Sequence, residues 1–143
     1  MKTILILYSA LMPYNIIVVK ELLQKGCNVH IVRWTKCQTP YVPPELTGVI
    51  YYDRSQFPDA SSLLKLVREI KPDLIMVAGW IDKLYCKVAS VYRKESDIPI
   101  VAGSDTQWKG GKQWLNVLFS AFRHKRWFSH IFVSGIWQYE YAR

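Results

Sequence analysis

The sequence predicts an α/β fold, a Rossmann-like doubly wound parallel sheet of about six strands. Short, continuously apolar runs are typical of strands covered on both faces, amphipathic helical segments lie between them, and glycines or prolines separate the two. Strands that alternate with helices imply parallel βαβ units with right-handed crossovers, and we expect the strand order 3-2-1-4-5-6. With 143 residues, half of them apolar, the chain suits a single domain with its own core.

The first half of the chain is predicted as a strand, a helix and two further strands. The helix begins near Pro13, a residue favoured in the first helical turn, and Gly26 ends it. A loop with three prolines, residues 35–47, precedes the third strand. These three strands are predicted at residues 4–8, 27–34 and 48–52.

The second half continues the same alternation. Asp59 is a candidate N-cap for a helix that Pro72 ends, and helical periodicity returns at about 83–95. An apolar helical stripe covers 114–122, and a last helix begins near Ile136. The remaining strands are predicted at 74–78, 98–102 and 130–133.

Charge and cysteine usage limit the classes of function. The formal net charge is +8, which favours anionic partners such as phosphates, nucleic acid or an acidic membrane surface. Three cysteines without a CxxC pair argue against a disulfide framework or a zinc site and fit a reducing, cytoplasmic compartment. No His, Cys and carboxylate cluster has metal-ligand spacing, so we predict no metal. No stretch is long and apolar enough for a spanning helix.

Segments from both ends and the middle of the chain share the pattern of one family, namely Lys2–Leu7, Leu22–Val32, Ile70–Val77, Asp97–Val101 and, near the end, Val133–Gly135 with Gln138–Arg143. Together they resemble the N-terminal domain of family 4-type glycosyltransferases of the GT-B architecture. The resemblance covers nearly the whole chain, and its weight lies in the order and spacing of segments that are individually common among Rossmann-like domains.

This resemblance implies that residues 1–143 are the acceptor-binding half of a two-domain glycosyltransferase acting on a cell-surface glycan or lipid-linked acceptor. It implies that this domain binds no cofactor, that the nucleotide-sugar donor binds a C-terminal domain, and that the fragment alone transfers no sugar. Two features depart from the family: the segment Ser9–Asn15 lacks the glycines of many relatives, and Gly79–Asp82 stands where some carry a histidine. The segment also lacks the GxGxxG fingerprint of dinucleotide-binding domains.

Two aspartates are candidates for a general base that would deprotonate an acceptor hydroxyl. Ligands of open α/β sheets bind beyond the carboxyl ends of the strands, here at loops 8–15, 34–44, 79–83 and 103–111. Asp105 follows the fifth strand and is the first choice, and Asp82 follows the fourth. The alternative is that either aspartate caps the helix that follows it.

Aromatic and polar loop residues are candidates for contacting the substrate. Trp80 and Trp108 could stack on a sugar ring or simply pack on the rim of the sheet. Lys109, beside two glycines, could meet a phosphate or lie in a plain flexible loop. Tyr14 and Asn15 could bind sugar hydroxyls or cap the first helix.

The basic cluster that follows the apolar stripe suggests a peripheral membrane surface. Arg123, Lys125 and Arg126 lie among Trp127, Phe128 and the stripe residues, which suits an anionic membrane such as the inner face of the cell membrane. The alternative is that the stripe covers the sheet and the cluster is solvated. Two further alternatives are a stand-alone flavodoxin-like or Rossmann binding module without catalysis and, less favoured because no known motif is present, a nucleic-acid binder.

Overall fold

The computed structural model of the protein describes residues 1–35, 41–105, 111, 113, 115, 119 and 127–142. Strands lie at Thr3–Leu7 (β1), Asn28–Arg33 (β2), Val49–Asp53 (β3), Leu74–Val77 (β4), Ile100–Ser104 (β5) and His130–Val133 (β6). Helices lie at Pro13–Gln24 (α1), Ala60–Ile70 (α2), Lys83–Glu95 (α3) and Ile136–Ala142 (α4), and a short 3₁₀ helix lies at Arg54–Gln56.

The strands form one six-stranded sheet in the order β3-β2-β1-β4-β5-β6, and every neighbouring pair is parallel. The predicted fold class and strand order are therefore confirmed. The order reverses between β1 and β4, where Leu5 lies between His30 of β2 and Ile75 of β4. Because all six strands are parallel, their carboxyl ends meet at one edge of the sheet, which is where ligands of such folds bind. We call this edge the carboxyl edge.

A buried apolar cluster lies on each face of the sheet, as a doubly wound fold requires. Alternate residues of β1 separate the two clusters: Ile4 and Ile6 pack beneath α1, whereas Leu5 and Leu7 pack against α2 and α3. Burial on both faces explains why the central strand β1 is continuously apolar in sequence rather than alternating.

Helix ends follow the expected signals. The side chain of Asp59 accepts a hydrogen bond from the Ser62 N–H at 2.8 Å, which confirms it as the N-cap of α2. The same helix ends at Ile70, where Lys71 adopts a left-handed φ of 50° just before Pro72. The predicted bounds of α3 and β6 agree with the structure residue for residue.

One part of the proposed membrane-facing stripe is a core residue instead. Trp127 is buried, packs in the cluster beneath α2 and α3, and meets the ring of Phe128 edge-on at 4.8 Å. For Trp127, the alternative of packing on the sheet is therefore the correct one; the sequence left both open because an aromatic side chain beside basic residues suits either a core or an interface. Arg123, Lys125 and Arg126 lie outside the described residues. Within the described ranges, no helix is long and apolar enough to cross a membrane.

Candidate functional site

A cavity of about 290 Å³ opens at the carboxyl edge, beyond the ends of β1 and β2. The turn after β1 forms one wall, and the end of β2 with the proline-containing loop forms the other. Its polar groups are a guanidinium, a carboxylate, two hydroxyls and an indole. The residues lining it are Ala10, Leu11, Arg33, Trp34, Thr35, Tyr41, Val42, Pro43 and Glu45.

Arg33, the last residue of β2, supplies the positive charge of this cavity. Its guanidinium lies 4.3 Å from the centre of the Tyr51 ring, and its Nη2 donates a hydrogen bond to Glu45 Oε1 at 3.1 Å. The Arg33 side chain is only 13% exposed, whereas that of Glu45 is 77% exposed. Arg33 is therefore held by an aromatic face and a largely solvated carboxylate, and a bound anion can replace that carboxylate at little cost.

The loop residues around the cavity are anchored by β3. Thr35 Oγ1 donates to Asp53 Oδ2 at 2.5 Å, and the Leu46 N–H donates to the Tyr51 hydroxyl at 3.1 Å. Tyr51 thus fixes both the loop and the Arg33 guanidinium. The walls of the cavity are consequently held by side chains of two neighbouring strands.

A buried ion pair joins two segments at the carboxyl edge. Arg54 Nε lies 3.2 Å from Asp82 Oδ2, and the two side chains are 9% and 11% exposed. The Arg54 guanidinium also lies 5.0 Å from the centre of the Trp34 ring. Beside the pair, the buried Tyr85 hydroxyl donates to Val32 O at 3.2 Å, and burial raises the pKa of this phenol. The pair therefore ties the loops after β3 and β4 to the end of β2.

A second polar group of residues follows β5, on the α1 side of the same edge. Asp105 is exposed, and its charge contributes to raising the pKa values of Tyr8 and Tyr14, after the larger effect of burial. Burial is strongest at Tyr8, whose pKa rises to about 12. Its hydroxyl lies against Gly103 of β5, where an added Cβ would lie 3.1 Å from the Tyr8 oxygen. The glycine thus leaves space for the Tyr8 hydroxyl.

The structure assigns local roles to two of the predicted site residues. Asp82 caps α3, accepting hydrogen bonds from the Leu84 N–H at 2.9 Å and the Tyr85 N–H at 3.4 Å, in addition to its ion pair. Asn15 is buried, and its Oδ1 accepts the Met12 N–H at 2.8 Å. For both residues, the capping alternative describes what the side chain contacts.

The other predicted site residues are placed at the carboxyl edge or fall outside the described part of the chain. Tyr14 is half exposed at the start of α1, and Trp80 is half-buried against the core beneath α3. Asp105 lies with Tyr8 and Tyr14, whereas Asp82 lies with Arg54, so the two candidate bases belong to different groups. Trp108 and Lys109 lie outside the described residues.

Sequence reasoning missed the residues that shape the cavity, namely Arg33, Glu45 and Tyr51. The available signal was a basic residue at the end of the second strand, a position that faces the ligand in nucleotide-binding Rossmann folds. Its partners are 12 and 18 residues further along the chain, and no local pattern connects them. Among the described residues, no three His, Cys, Asp or Glu side chains form a group that could hold a metal.

No protein-family model matches the chain, and no curated protein matches it in sequence. Solved structures do match its fold. The enzyme WbmH of Bordetella bronchiseptica, in complex with NAD+, matches 74% of this chain and 39% of its own with a TM-score of 0.54 and 16% identity. UDP-glucose 4-epimerase of Thermus thermophilus, in complex with NAD, matches 89% and 53% with a TM-score of 0.52 and 11% identity. A double mutant of a Serratia marcescens short-chain dehydrogenase/reductase matches 85% and 66% with a TM-score of 0.50 and 12% identity.

These matches overturn the assignment to GT-B glycosyltransferases. The similar structures are two NAD complexes, one of them an epimerase, and a dehydrogenase/reductase, so the acceptor-binding role inferred from the resemblance is wrong. The expectation that the domain binds no cofactor is corrected by the same finding, because folds of this kind hold NAD in two of the three structures. The error has a physical origin: the matching segments are strand and helix-end patterns that Rossmann-like domains share. The chain spans less than two thirds of the length of each structure.

Proposed function

We propose that this Rossmann-like domain binds a nucleotide in the cavity beyond β1 and β2. The observation that carries the proposal is the placement of Arg33 there, nearly buried and stacked on Tyr51, at the carboxyl edge of a doubly wound sheet. The fold is that of structures solved with NAD, and the net charge of +8 favours an anionic ligand.

Arg33 is proposed to bind a phosphate of the nucleotide. A guanidinium offers paired N–H donors that match phosphate oxygens, and stacking on Tyr51 fixes its plane before the ligand arrives. The phosphate replaces Glu45, whose carboxylate is mostly in water and therefore contributes little to holding the arginine. The released Glu45 carboxylate can then accept hydrogen bonds from ribose hydroxyls at the same rim.

Trp34 and Tyr41 are proposed to contact the base. Both line the cavity, and an aromatic ring stacked on a base contributes about 1–3 kcal/mol by alanine substitution. Arg54 lies against the Trp34 ring and holds it at the rim. The two aromatic rings and the guanidinium supply an apolar surface and an anion-binding group within one cavity, which is the combination that a nucleotide requires.

The test is isothermal titration calorimetry of the full chain with the four nucleoside monophosphates and inorganic phosphate. We expect Arg33→Ala to weaken binding of the preferred nucleotide about tenfold or more, because a charge-assisted hydrogen bond is lost. Arg33→Lys should recover only part of the affinity, since an ammonium lacks the planar pair of donors. The matched control is Arg68→Ala. This arginine pairs with Glu95 at the carboxyl-terminal ends of α2 and α3, away from the carboxyl edge of the sheet. Equal affinities for wild type and Arg33→Ala would refute the proposal.

Roles in ligand contact for Asp105, Tyr14, Trp80, Trp108 and Lys109 stay predictions. The same holds for peripheral association with an anionic membrane through Arg123, Lys125 and Arg126. Co-sedimentation with liposomes tests the latter: binding should increase with the anionic lipid fraction and decrease with salt, and insensitivity to both would contradict it.

A further inference from the structure

The backbone at the start of α1 has few N–H groups to offer a phosphate. In dinucleotide-binding Rossmann domains, the pyrophosphate rests on free N–H groups at this helix start. Here Pro13 has no N–H, and the Met12 N–H donates to Asn15 Oδ1 at 2.8 Å. The N–H groups of Asn15 and Ile16 both donate to Met12 O, at 2.9 and 3.2 Å. The N–H groups of Met12, Asn15 and Ile16 are therefore already used, and Pro13 supplies none.

The turn between β1 and α1 is also filled by side chains. Residues 8–12 contain no glycine, and both Tyr8 and Leu11 are buried in the core beneath α1. None of the positive φ angles of the described residues falls in this turn. A pyrophosphate needs bare backbone there, which glycine provides and these side chains do not.

The volumes of the cavities on the two sides of this turn also favour binding of the ligand on the β2 side. The cavity at β2 measures about 290 Å³, near the lower end of the range of roughly 300–1,000 Å³ for small-molecule sites. On the other side, the cavity lined by Tyr8, Met76 and Phe132 measures about 20 Å³, which suits one water molecule. Of these two cavities, the one on the β2 side has room for a nucleotide and the one on the β4 side does not.

We infer that this domain binds a single nucleotide unit and draws no affinity from the second half of a dinucleotide, although its fold is that of NAD-binding structures. The inference rests on the proposed function, and it specifies the ligand class of the same cavity. A nucleoside phosphate places its phosphate on Arg33 and has no need of the helix start. A dinucleotide gains nothing from its second half, because the sealed turn cannot hold the pyrophosphate.

The closing experiment compares the preferred nucleoside monophosphate with its symmetrical dinucleoside pyrophosphate and with NAD+, by calorimetry on the full chain. We expect both dinucleotides to bind no more than about threefold more tightly than the monophosphate, and Arg33→Ala to weaken all three. Arg33-dependent binding with a dinucleotide preferred by more than about threefold would overturn this inference and leave the proposed function standing. Absence of Arg33-dependent binding to any nucleotide would overturn both.

A variant that frees backbone N–H groups at the start of α1 gives a second test of the dinucleotide-to-mononucleotide affinity ratio. Pro13→Ala with Asn15→Ala restores one N–H and releases another, and the ratio of dinucleotide to mononucleotide affinity should then shift about tenfold toward the dinucleotide. Ile17→Ala, at an exposed position on the same helix, should leave the ratio unchanged. Circular dichroism and thermal unfolding establish that each variant is folded. An unchanged ratio in the folded double variant would show that the sealed helix start does not set ligand class.

Discussion

The segments that follow β1 and β2 lie side by side at the carboxyl edge, yet the first is closed and the second is open. After β1, the Leu11 side chain is buried, and the Met12 N–H already donates a hydrogen bond to Asn15 Oδ1. After β2, Arg33 and Glu45 face a cavity of about 290 Å³. The Rossmann-like topology fixes where ligands approach, whereas the side chains of individual turns decide which part of that edge is usable.

The two helix starts at this edge differ in how firmly they are closed. Asn15 closes α1 with a neutral hydrogen bond to a residue three positions away. Asp82 closes α3 with a charge that also pairs with Arg54, 28 residues away in sequence. The Asn15 bond is local, so a mutation can remove it with a modest loss in the free energy of unfolding. The Asp82 bonds belong to a buried ion pair that joins the segments after β3 and β4. Removing the Asp82 side chain should therefore reduce stability more than removing the Asn15 side chain.

Asp82→Ala should produce the largest loss of stability. It leaves the Arg54 guanidinium buried without its carboxylate and removes the cap of α3, for an expected loss of about 3–5 kcal/mol in the free energy of unfolding. Urea denaturation followed by circular dichroism measures the loss. Asp82→Asn keeps a capping oxygen without the charge and should lose less.

A double variant separates the ion pair from the cap. Arg54→Met in the Asp82→Ala background removes the unpaired buried charge, so it should recover part of the lost stability. The remaining deficit, expected to be about 1 kcal/mol, then measures the cap. A loss below about 1 kcal/mol for Asp82→Ala alone would contradict the view that this pair supports the edge.

The sequence was sufficient for the fold because the relevant signals are local. Pro13, Asp59 and Pro72 mark helix ends by their own chemistry, and apolar runs mark the buried strands. A helix at 83–95 and a strand at 130–133 could be placed residue for residue for this reason. The strand order was expected from the order that Rossmann-like sheets adopt when every crossover is right-handed.

The site was less accessible from sequence because its contacts are distant in the chain. The role of Arg33 depends on its contacts with Glu45 and Tyr51, and that of Asp82 on its contact with Arg54. No spacing rule in the sequence connects these partners. The placement of Trp127 stayed open between core and interface for a related reason, since its neighbours in the core come from strands and helices distant in sequence. The family resemblance failed because it rested on strand patterns, which report the fold and say little about the ligand.

Asn15→Ala tests the closed segment with an effect of intermediate size. Removing the side-chain oxygen leaves the Met12 N–H without its partner at the start of α1, with an expected loss of about 1 kcal/mol. Ile17→Ala, exposed on the same helix, should change stability by less than about 0.5 kcal/mol and serves as the control in urea denaturation. Equal losses for the two variants would show that the Asn15 bond does not hold the helix start closed.

Glu45→Gln tests the open segment and has the smallest expected effect. If the carboxylate mainly occupies Arg33 until a phosphate arrives, its neutralisation should strengthen binding of a nucleoside monophosphate by about threefold, as expected for an exposed ion pair. If ribose contacts by the displaced carboxylate outweigh that competition, the same variant should weaken binding. Glu21→Gln, an exposed position on α1, is the control in calorimetry. The sign of the change therefore reveals which role of Glu45 dominates, and a variant indistinguishable from the control would exclude Glu45 from the nucleotide site and leave Arg33 and the aromatic rings to define it.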